Sequence, residues 1–272
     1  NVFINTIMKY FLILIIFSHF ITACNQNEIT EENINQDEDL VSKKSDFAGD
    51  SLYFSLMNSI ENDTSLFLAS SLNYSGKLGS THYGRALVDE HNIIHQLTSV
   101  ENDTLHETTF DFFYLNSKKR ISTELIYSYQ KDSNYYHQII SFYDTSGACI
   151  YSGFKHFEDL NLSSEKSYST ADFQRKMDDQ RAVNIIQQQG SFETNFRGFF
   201  ALESYNLDFI KVGANDGFYS SMLAISEETP LIKKIRKNRD VFIGKPLILE
   251  FTTVEESDGF AYQLLLEAKL KP

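Results

Sequence analysis

Hydrophobic and polar residues alternate with period two over much of the chain, most clearly between residues 82 and 157. In the runs 106–114 and 121–129 the apolar, aromatic and β-branched side chains fall largely on one face, and polar clusters such as 89–92 and 144–147 separate the runs. Such alternation predicts strands, and short connections make neighbouring strands antiparallel. We therefore predict a mainly β (α+β) chain in which residues 51–160 form an antiparallel β-meander domain with about six strands.

Residues 161–190 are predicted to form a helical connector between two sheets. Thr170 suits the N-cap of a helix, Asp172 suits its first turn, and Gly190 suits the left-handed position just past its end. The apolar residues between them do not form one clean stripe. We expect this helix to span 170–190 and to pack between the sheets on either side.

Residues 191–272 contain three alternating runs, a helix and two further alternating runs. Thr229 and Pro230 mark the start of the helix, Gly244 marks its end, and Asp258-Gly259 is a hairpin turn. This order resembles the oligonucleotide/oligosaccharide-binding (OB) fold, a small five-stranded barrel with one helix between its third and fourth strands. A small five-stranded sheet packed on one helix gives the same pattern. The OB-like resemblance implies a ligand face close to Phe209, Phe218, Tyr219, Phe260 and Tyr262.

The segment 51–74 is compatible with two structures. Leu52, Phe54, Leu56 and Ile60 suit a strand, whereas Leu52, Leu56 and Ile60 equally suit one face of a helix. The sequence at 59–64 is nearly repeated at 99–104, so a hairpin at both places would add two strands to the meander. The choice between helix and hairpin stays open at this point.

The N-terminal residues 1–23 have the pattern of a secretory signal. Met8-Lys9 provides a positively charged start, residues 10–17 are continuously apolar or aromatic, and small residues follow. This apolar run is too short for a membrane-spanning helix, which needs about 20 residues. Residues 1–7 are interpreted as lying upstream of the true start at Met8.

The four residues Ile21-Thr22-Ala23-Cys24 resemble the lipobox of bacterial lipoproteins. The resemblance implies cleavage before Cys24 and attachment of fatty acyl chains to it, so that the membrane is a partner of the chain. The low proline content, the lack of tryptophan and the many Asn, Ile, Tyr and Phe residues resemble the lipoproteins of Bacteroidota. We predict a location in the cell envelope, anchored by lipid, with the outer membrane favoured over the inner one.

Charge and composition limit the kinds of molecule that the chain is expected to bind. Residues 24–50 carry eight acidic residues and two lysines, and so few apolar ones that they are predicted to form a disordered tether behind the lipid anchor. The whole chain has a net charge of −13, which argues against non-specific binding to nucleic acid, and no nucleic-acid partner is expected. Beyond Cys24 only Cys149 remains, and a small buried hydrophobic role is expected for it.

The sequence contains few signals of chemistry. A basic run in the predicted C-terminal helix is either a solvated helix face or a contact for an anion such as a lipid headgroup; its members are Lys233, Lys234, Arg236, Lys237 and Arg239. Six histidines follow the signal, all within the meander, but no two have the i, i+2 spacing of ligands on one strand. Neither a metal nor a cofactor is predicted, and no catalytic motif is present.

Aromatic residues are also abundant in the sequence, with 15 tyrosines and 23 phenylalanines. Tyrosines on adjacent meander strands could stack sugar rings or pack across strands. The sequence thus favours a non-catalytic binding module of the cell envelope, with a protein or glycan partner. One alternative is a carrier that holds an apolar ligand in a half-barrel, and another is a hydrolase of cell-envelope polymers.

Overall fold

The computed structural model describes residues 50–129, 135–171 and 175–272. The predicted signal, Cys24 and the tether up to residue 49 lie outside the described residues. All described residues belong to one compact unit, Ser45–Pro272. Among the helices that the structure describes, none combines the length and the apolar content needed to cross a bilayer.

The described chain is built mainly from strands. The helices are α1 (Asp50–Glu61), α2 (Gln180–Gln187), α3 (Pro230–Lys237) and α4 (Arg239–Phe242). The strands of the N-terminal part are β1 (Phe67–Ser70), β2 (Tyr74–Ser75), β3 (Thr81–Val88), β4 (Ile94–Asn102), β5 (His106–Leu115), β6 (Lys118–Ser128), β7 (Tyr135–Tyr143), β8 (Cys149–Phe157) and β9 (Ser169–Thr170). Those of the C-terminal part are β10 (Asn195–Leu202), β11 (Leu207–Gly213), β12 (Ser220–Ile225), β13 (Leu247–Glu255) and β14 (Ala261–Leu270).

Strands β3 to β8 form the predicted antiparallel meander, in which each strand pairs with the next along the chain. The main path through the sheet runs β10-β11-β12-β2-β3-β4-β5-β6-β7-β8-β9. The prediction of a mainly β, antiparallel, many-stranded sheet is therefore confirmed. It succeeds because half-buried strands impose a period of two on the sequence.

The meander has a helix on each face. Leu56 and Ile60 of α1 pack against Phe113, Ile121 and Phe142, and we call this side the α1 face. On the opposite side, the α2 face, Ala182 packs with Leu97, Phe112 and Ile139. Adjacent residues Phe112 and Phe113 thus belong to different clusters, because successive side chains of a strand point to opposite faces.

The C-terminal strands bury a second core. It includes Phe196, Ile210 and Leu223 from the strands and Ile232 and Ile235 from α3. The predicted start of α3 is confirmed: the Thr229 hydroxyl accepts a hydrogen bond from the Ile232 N–H at 3.3 Å, and Pro230 occupies the first turn.

The predicted closed barrel is not confirmed. Strand β12 pairs with β11 on one side and with β14, in parallel, on the other, and β13 pairs with β14. The start of β10 contacts the chain before β13 through a bridge between Asn195 and Pro246 and a few backbone hydrogen bonds, without a ladder between the two strands, so the described sheet is not closed. The register of β10 against β11 shifts between Phe196 and Gly198, next to this bridge, and such bulges bend a strand.

The prediction of a helix over residues 170–190 was wrong in its extent. Thr170 belongs to β9, and the helix covers only Gln180–Gln187, with Gln188 in the left-handed conformation behind it. The chain before α2 instead follows the sheet, since the Arg175 N–H donates to the Ser152 hydroxyl and the Met177 N–H donates to the Tyr143 hydroxyl, both at 2.9 Å. Tertiary hydrogen bonds to strand side chains thus replace the first turns of a helix.

The open choice for 51–74 resolves as a helix at Leu52, Leu56 and Ile60, followed by two short strands that do not form a hairpin with each other. Helix α1 ends at Glu61, and β1 and β2 follow it along one edge of β3. The near-repeat of 59–64 and 99–104 therefore spans the end of a helix in one copy and a turn between strands in the other, so it does not reflect a structural repeat.

Candidate functional site

A cleft lined mostly by polar residues lies on the α2 face of the meander, over β5 to β8. Its volume is about 470 Å³, within the size range of ligand pockets. We call it the histidine cleft, and it is lined by Asp103, His106, Thr108, Ile126, Ser128, Tyr135, His137 and His156. Seven of these eight side chains are polar. The cleft thus presents hydrogen-bonding groups at the surface of a rigid sheet.

The antiparallel register explains why these residues meet. His106 is paired with Ser128, and Ser128 with Tyr135, across β5, β6 and β7. In a neighbouring row Ile126 is paired with His137, and His137 with His156. Because alternate residues share a face, each strand supplies its cleft residues at a spacing of two.

His137 and His156 are in direct contact. Their Nδ1 atoms lie 3.1 Å apart and their ring centroids 4.4 Å apart. Partial burial, the neighbouring His156 and the positive charge of Arg175 together lower the pKa of His137. A pair at this distance has one ring donating and the other accepting a hydrogen bond, so neutral imidazoles fit the geometry.

Asp103 shapes the rim of the cleft. Its Oδ1 accepts hydrogen bonds from the Leu105 and His106 N–H groups, both at 2.7 Å, and these bonds lower the pKa of its carboxyl. The His106 Nδ1 lies 3.7 Å from the same oxygen. This carboxylate therefore fixes the β4–β5 turn and orients His106 beside the cleft.

An ion pair lies next to the cleft on the same face. Glu124 is only 4% exposed, and a carboxylate oxygen lies 2.8 Å from an Nη atom of Arg175. Burial raises the pKa of Glu124, the Arg175 charge lowers it, and Glu101 raises it further. Glu101 is in turn 3.1 Å from Arg181. Both acids are thus engaged by arginines from the segment that crosses this face.

Replacing Arg175 by methionine is expected to lower the free energy of unfolding by about 2 kcal/mol at pH 7. The substitution leaves the Glu124 carboxylate buried without its partner, and breaking a fully buried pair costs about 3–5 kcal/mol. Because the Arg175 side chain is 43% exposed, water screens the pair and the cost is smaller. Urea denaturation at low salt measures it, with the exposed neighbour Lys176→Met as control. The added change Glu124→Gln should restore most of the loss, and equal destabilisation by the control would contradict this account.

Three tyrosines of the meander, Tyr127, Tyr129 and Tyr136, pack on one another. The rings of Tyr127 and Tyr136 stack at 4.7 Å, and those of Tyr136 and Phe157 at 5.3 Å, in a row across β6, β7 and β8. Tyr129 meets Tyr127 edge to face at 4.7 Å. Since these ring faces are covered by neighbouring rings, the row favours cross-strand packing over stacking on sugars.

The five residues of the predicted ligand face lie in three places. Phe260 and Tyr262 are neighbours at 5.6 Å, and Phe260 also stacks on Tyr205 at 4.2 Å. Phe209 is buried beside Phe200. The remaining two, Phe218 and Tyr219, lie in the connection just before β12.

The contacts of Phe218 and Tyr219 differ. The Lys77 ammonium lies over the exposed Phe218 ring at 4.5 Å. Tyr219 stacks on Phe192 at 4.7 Å, and its hydroxyl accepts a hydrogen bond from Arg181 at 2.9 Å. Tyr219 therefore helps to join the C-terminal strands to the helix that covers the meander.

The basic run is divided among several contacts. Arg236 lies 2.8 Å from Asp208 and 2.6 Å from Glu228, and its guanidinium covers the Phe199 ring at 4.4 Å. The remaining four cations, Lys233, Lys234, Lys237 and Arg239, are exposed. The run is thus a solvated face of α3 and α4 in which Arg236 is engaged by acids of the same chain.

Comparison with known proteins gives no match: no protein-family model, no curated protein and no solved structure is significantly similar to the chain. The function is therefore argued from the site alone. Within the described ranges, no group of three or more His, Cys, Asp or Glu residues is placed to hold a metal ion.

The sequence did not reveal the pairing of His137 with His156, or the roles of Arg175 and Tyr205. For the histidines a signal existed in the sequence, because the turn at 144–147 makes β7 and β8 adjacent antiparallel strands of a hairpin. Regular antiparallel pairing, counted outward from that turn, places the strand partner of His137 within two residues of His156. A bulge between Phe142 and Tyr143 then shifts the pairing toward the observed register. Arg175 and Tyr205 act through tertiary contacts that no local pattern encodes.

Proposed function

We propose that this chain is a lipid-anchored, exported protein of the cell envelope whose folded part is a non-catalytic binding module for a glycan. The observation that supports it is the histidine cleft, with seven polar side chains and only Ile126 apolar. Imidazole, hydroxyl and carboxylate groups supply donors and acceptors in directions fixed by the strands. Sugar hydroxyls, which both donate and accept hydrogen bonds, match such a lining.

The alternatives have less support. A carrier of apolar ligands needs a mostly apolar cavity, and seven of the eight residues that line the histidine cleft carry a polar group. A hydrolase needs free acids or an activated nucleophile, whereas Glu101 and Glu124 are each engaged by an arginine. For these reasons we propose binding without catalysis.

An OB-like arrangement of β10–β14 is the second part of the proposal. The order β10-β11-β12-β14-β13, the parallel pairing of β12 with β14 and the helices between β12 and β13 support it. In this arrangement Phe260 and Tyr262, joined by Tyr205, mark the ligand side. The exposed cations of α3 and α4 suit anionic lipid headgroups close to the anchor.

The proposal places the protein on a membrane through Cys24, with the acidic tether holding the folded part away from the surface. The outer membrane is the proposed destination. No nucleic-acid partner is proposed, because the chain carries a net charge of −13.

The glycan proposal is tested by co-sedimentation of the full chain, in detergent and EDTA, with purified peptidoglycan sacculi and with immobilised lipopolysaccharide glycan. The variant Thr108→Val with Ser128→Ala removes two cleft hydroxyls. Since each of the two hydrogen bonds contributes about 1 kcal/mol, we expect about 30-fold weaker binding. Thr109→Val is the matched control, because Thr109 lies on the same strand but on the α1 face. Failure of the unaltered chain to bind either glycan, or equal loss in the control, would overturn the proposal.

A further inference from the structure

The contact between His137 and His156 has the dimensions of a metal chelate. Imidazole nitrogens bind zinc at about 2.0–2.1 Å, so two nitrogens on one ion at angles between 90° and 109° are about 2.9–3.4 Å apart. The observed Nδ1–Nδ1 distance of 3.1 Å falls inside this interval. The two rings come from paired positions on adjacent strands, so the backbone register holds the two nitrogens together.

We propose that His137 and His156 form a bidentate site for a divalent transition-metal ion, with Cu²⁺ bound more tightly than Zn²⁺. Imidazole suits both ions, and the general order of stability for nitrogen ligands places copper above zinc. The remaining coordination positions are filled by water or by a ligand that enters the histidine cleft. This inference goes beyond glycan binding and does not depend on it.

The surroundings of the pair favour preorganisation. The Phe154 ring lies 6.3 Å from the His137 ring and 5.8 Å from the His156 ring, on the same face of the sheet. It therefore lies beside both imidazoles, while the pairing of β7 with β8 keeps the two rings adjacent, and a site whose ligands are already adjacent loses less entropy on binding. Both histidines also line the open cleft, which gives the ion a path from solvent.

Protons and nearby charges both act on metal binding at this site. A metal ion binds neutral imidazole, so a ring that takes up a proton cannot act as a ligand. The nearby Arg175 repels a cation, but its charge is offset by Glu124 at 2.8 Å. We therefore expect binding to weaken as the pH falls and protons compete for the two rings.

The test titrates the full chain in detergent with CuSO₄ at pH 7.4, using calorimetry and electron paramagnetic resonance. We expect one Cu²⁺ per chain with hyperfine coupling to two nitrogens, and weaker binding of ZnSO₄. His137→Asn and His156→Asn should each weaken Cu²⁺ binding at least tenfold, because one ligand remains. His91→Asn is the matched control and should leave binding unchanged, since His91 is 74% exposed in the β3–β4 turn.

Unchanged Cu²⁺ affinity in either variant, or a spectrum without nitrogen coupling, would overturn the inference. The thermal midpoint of each variant is measured in parallel, and His137→Gln and His156→Gln replace any asparagine variant that does not fold. Glycan co-sedimentation is performed in EDTA, which removes divalent metal ions, so it tests glycan binding independently of metal binding. Loss of metal binding with intact sedimentation removes only this inference, and metal binding without sedimentation removes only the glycan proposal.

Discussion

Replacing Phe196 by alanine is expected to lower the free energy of unfolding by about 3–5 kcal/mol. The Phe196 side chain is 0% exposed and belongs to the C-terminal core with Ile210 and Ile232. Its ring lies 5.2 Å from that of Phe199. The Phe196 N–H donates to the Lys245 carbonyl at 2.9 Å, so a shift of the strand that closed the cavity would break this hydrogen bond.

Phe200 provides the matched control for this experiment. It lies four residues further along the same strand, and its side chain is 48% exposed. Phe200→Ala should therefore cost less than about 1 kcal/mol, because little apolar surface is removed from a packed environment. Denaturant unfolding followed by far-UV circular dichroism measures both variants. Equal losses for the two substitutions would contradict the assignment of Phe196 to the core.

The difference between these two phenylalanines also shows what the sequence could predict. Both are large aromatics in one alternating run, and the pattern identifies the run as a strand without telling which aromatic is buried. Strand existence followed from the alternation alone, so the meander and the antiparallel sheet were predictable. Burial depends on what lies above each face, and Phe209, expected on a ligand face, is buried beside Phe200.

The segment before α2 shows a different limit. Thr170 and Gly190 are good helix boundaries by local chemistry, yet the chain from Arg175 to Met177 bonds to Ser152 and Tyr143 of the sheet. Tertiary hydrogen bonds override local propensity there. The same segment carries Arg175, which pairs with Glu124 next to the histidine cleft. The local sequence pattern therefore missed a segment that forms part of the surroundings of the candidate site.

The histidine cleft was hidden for a geometric reason. Ligand pairs on a single strand show the i, i+2 spacing, whereas His137 and His156 belong to two strands and meet only through their register. That register depends on a β-bulge between Phe142 and Tyr143, which shifts the pairing by one residue. A site formed across a hairpin is therefore predictable only when the turn and the bulge are both known.

Replacing Cys24 by alanine is expected to release the protein from the membrane almost completely, by at least about 100-fold in the ratio of membrane-bound to soluble protein. Each buried CH₂ of an acyl chain contributes about 0.8 kcal/mol, and stable anchoring needs two chains or a second signal. The variant should lose all acyl chains at once. Fractionation of cells and quantitative immunoblotting measure the ratio, and the intact mass of the membrane-bound protein tests for cleavage before Cys24 and acylation.

Cys149→Ala is the control that separates lipidation from a general effect of losing a thiol. The Cys149 Sγ lies 3.4 Å from the Tyr151 carbonyl oxygen on β8, within the folded part, so this variant should stay in the membrane fraction. An unmodified chain that keeps residues 8–23 and is found in the cytosol would contradict the lipoprotein proposal. Export decides which ligands the protein can meet: a glycan of the envelope is accessible to the histidine cleft only if Cys24 anchors the chain outside the cytosol.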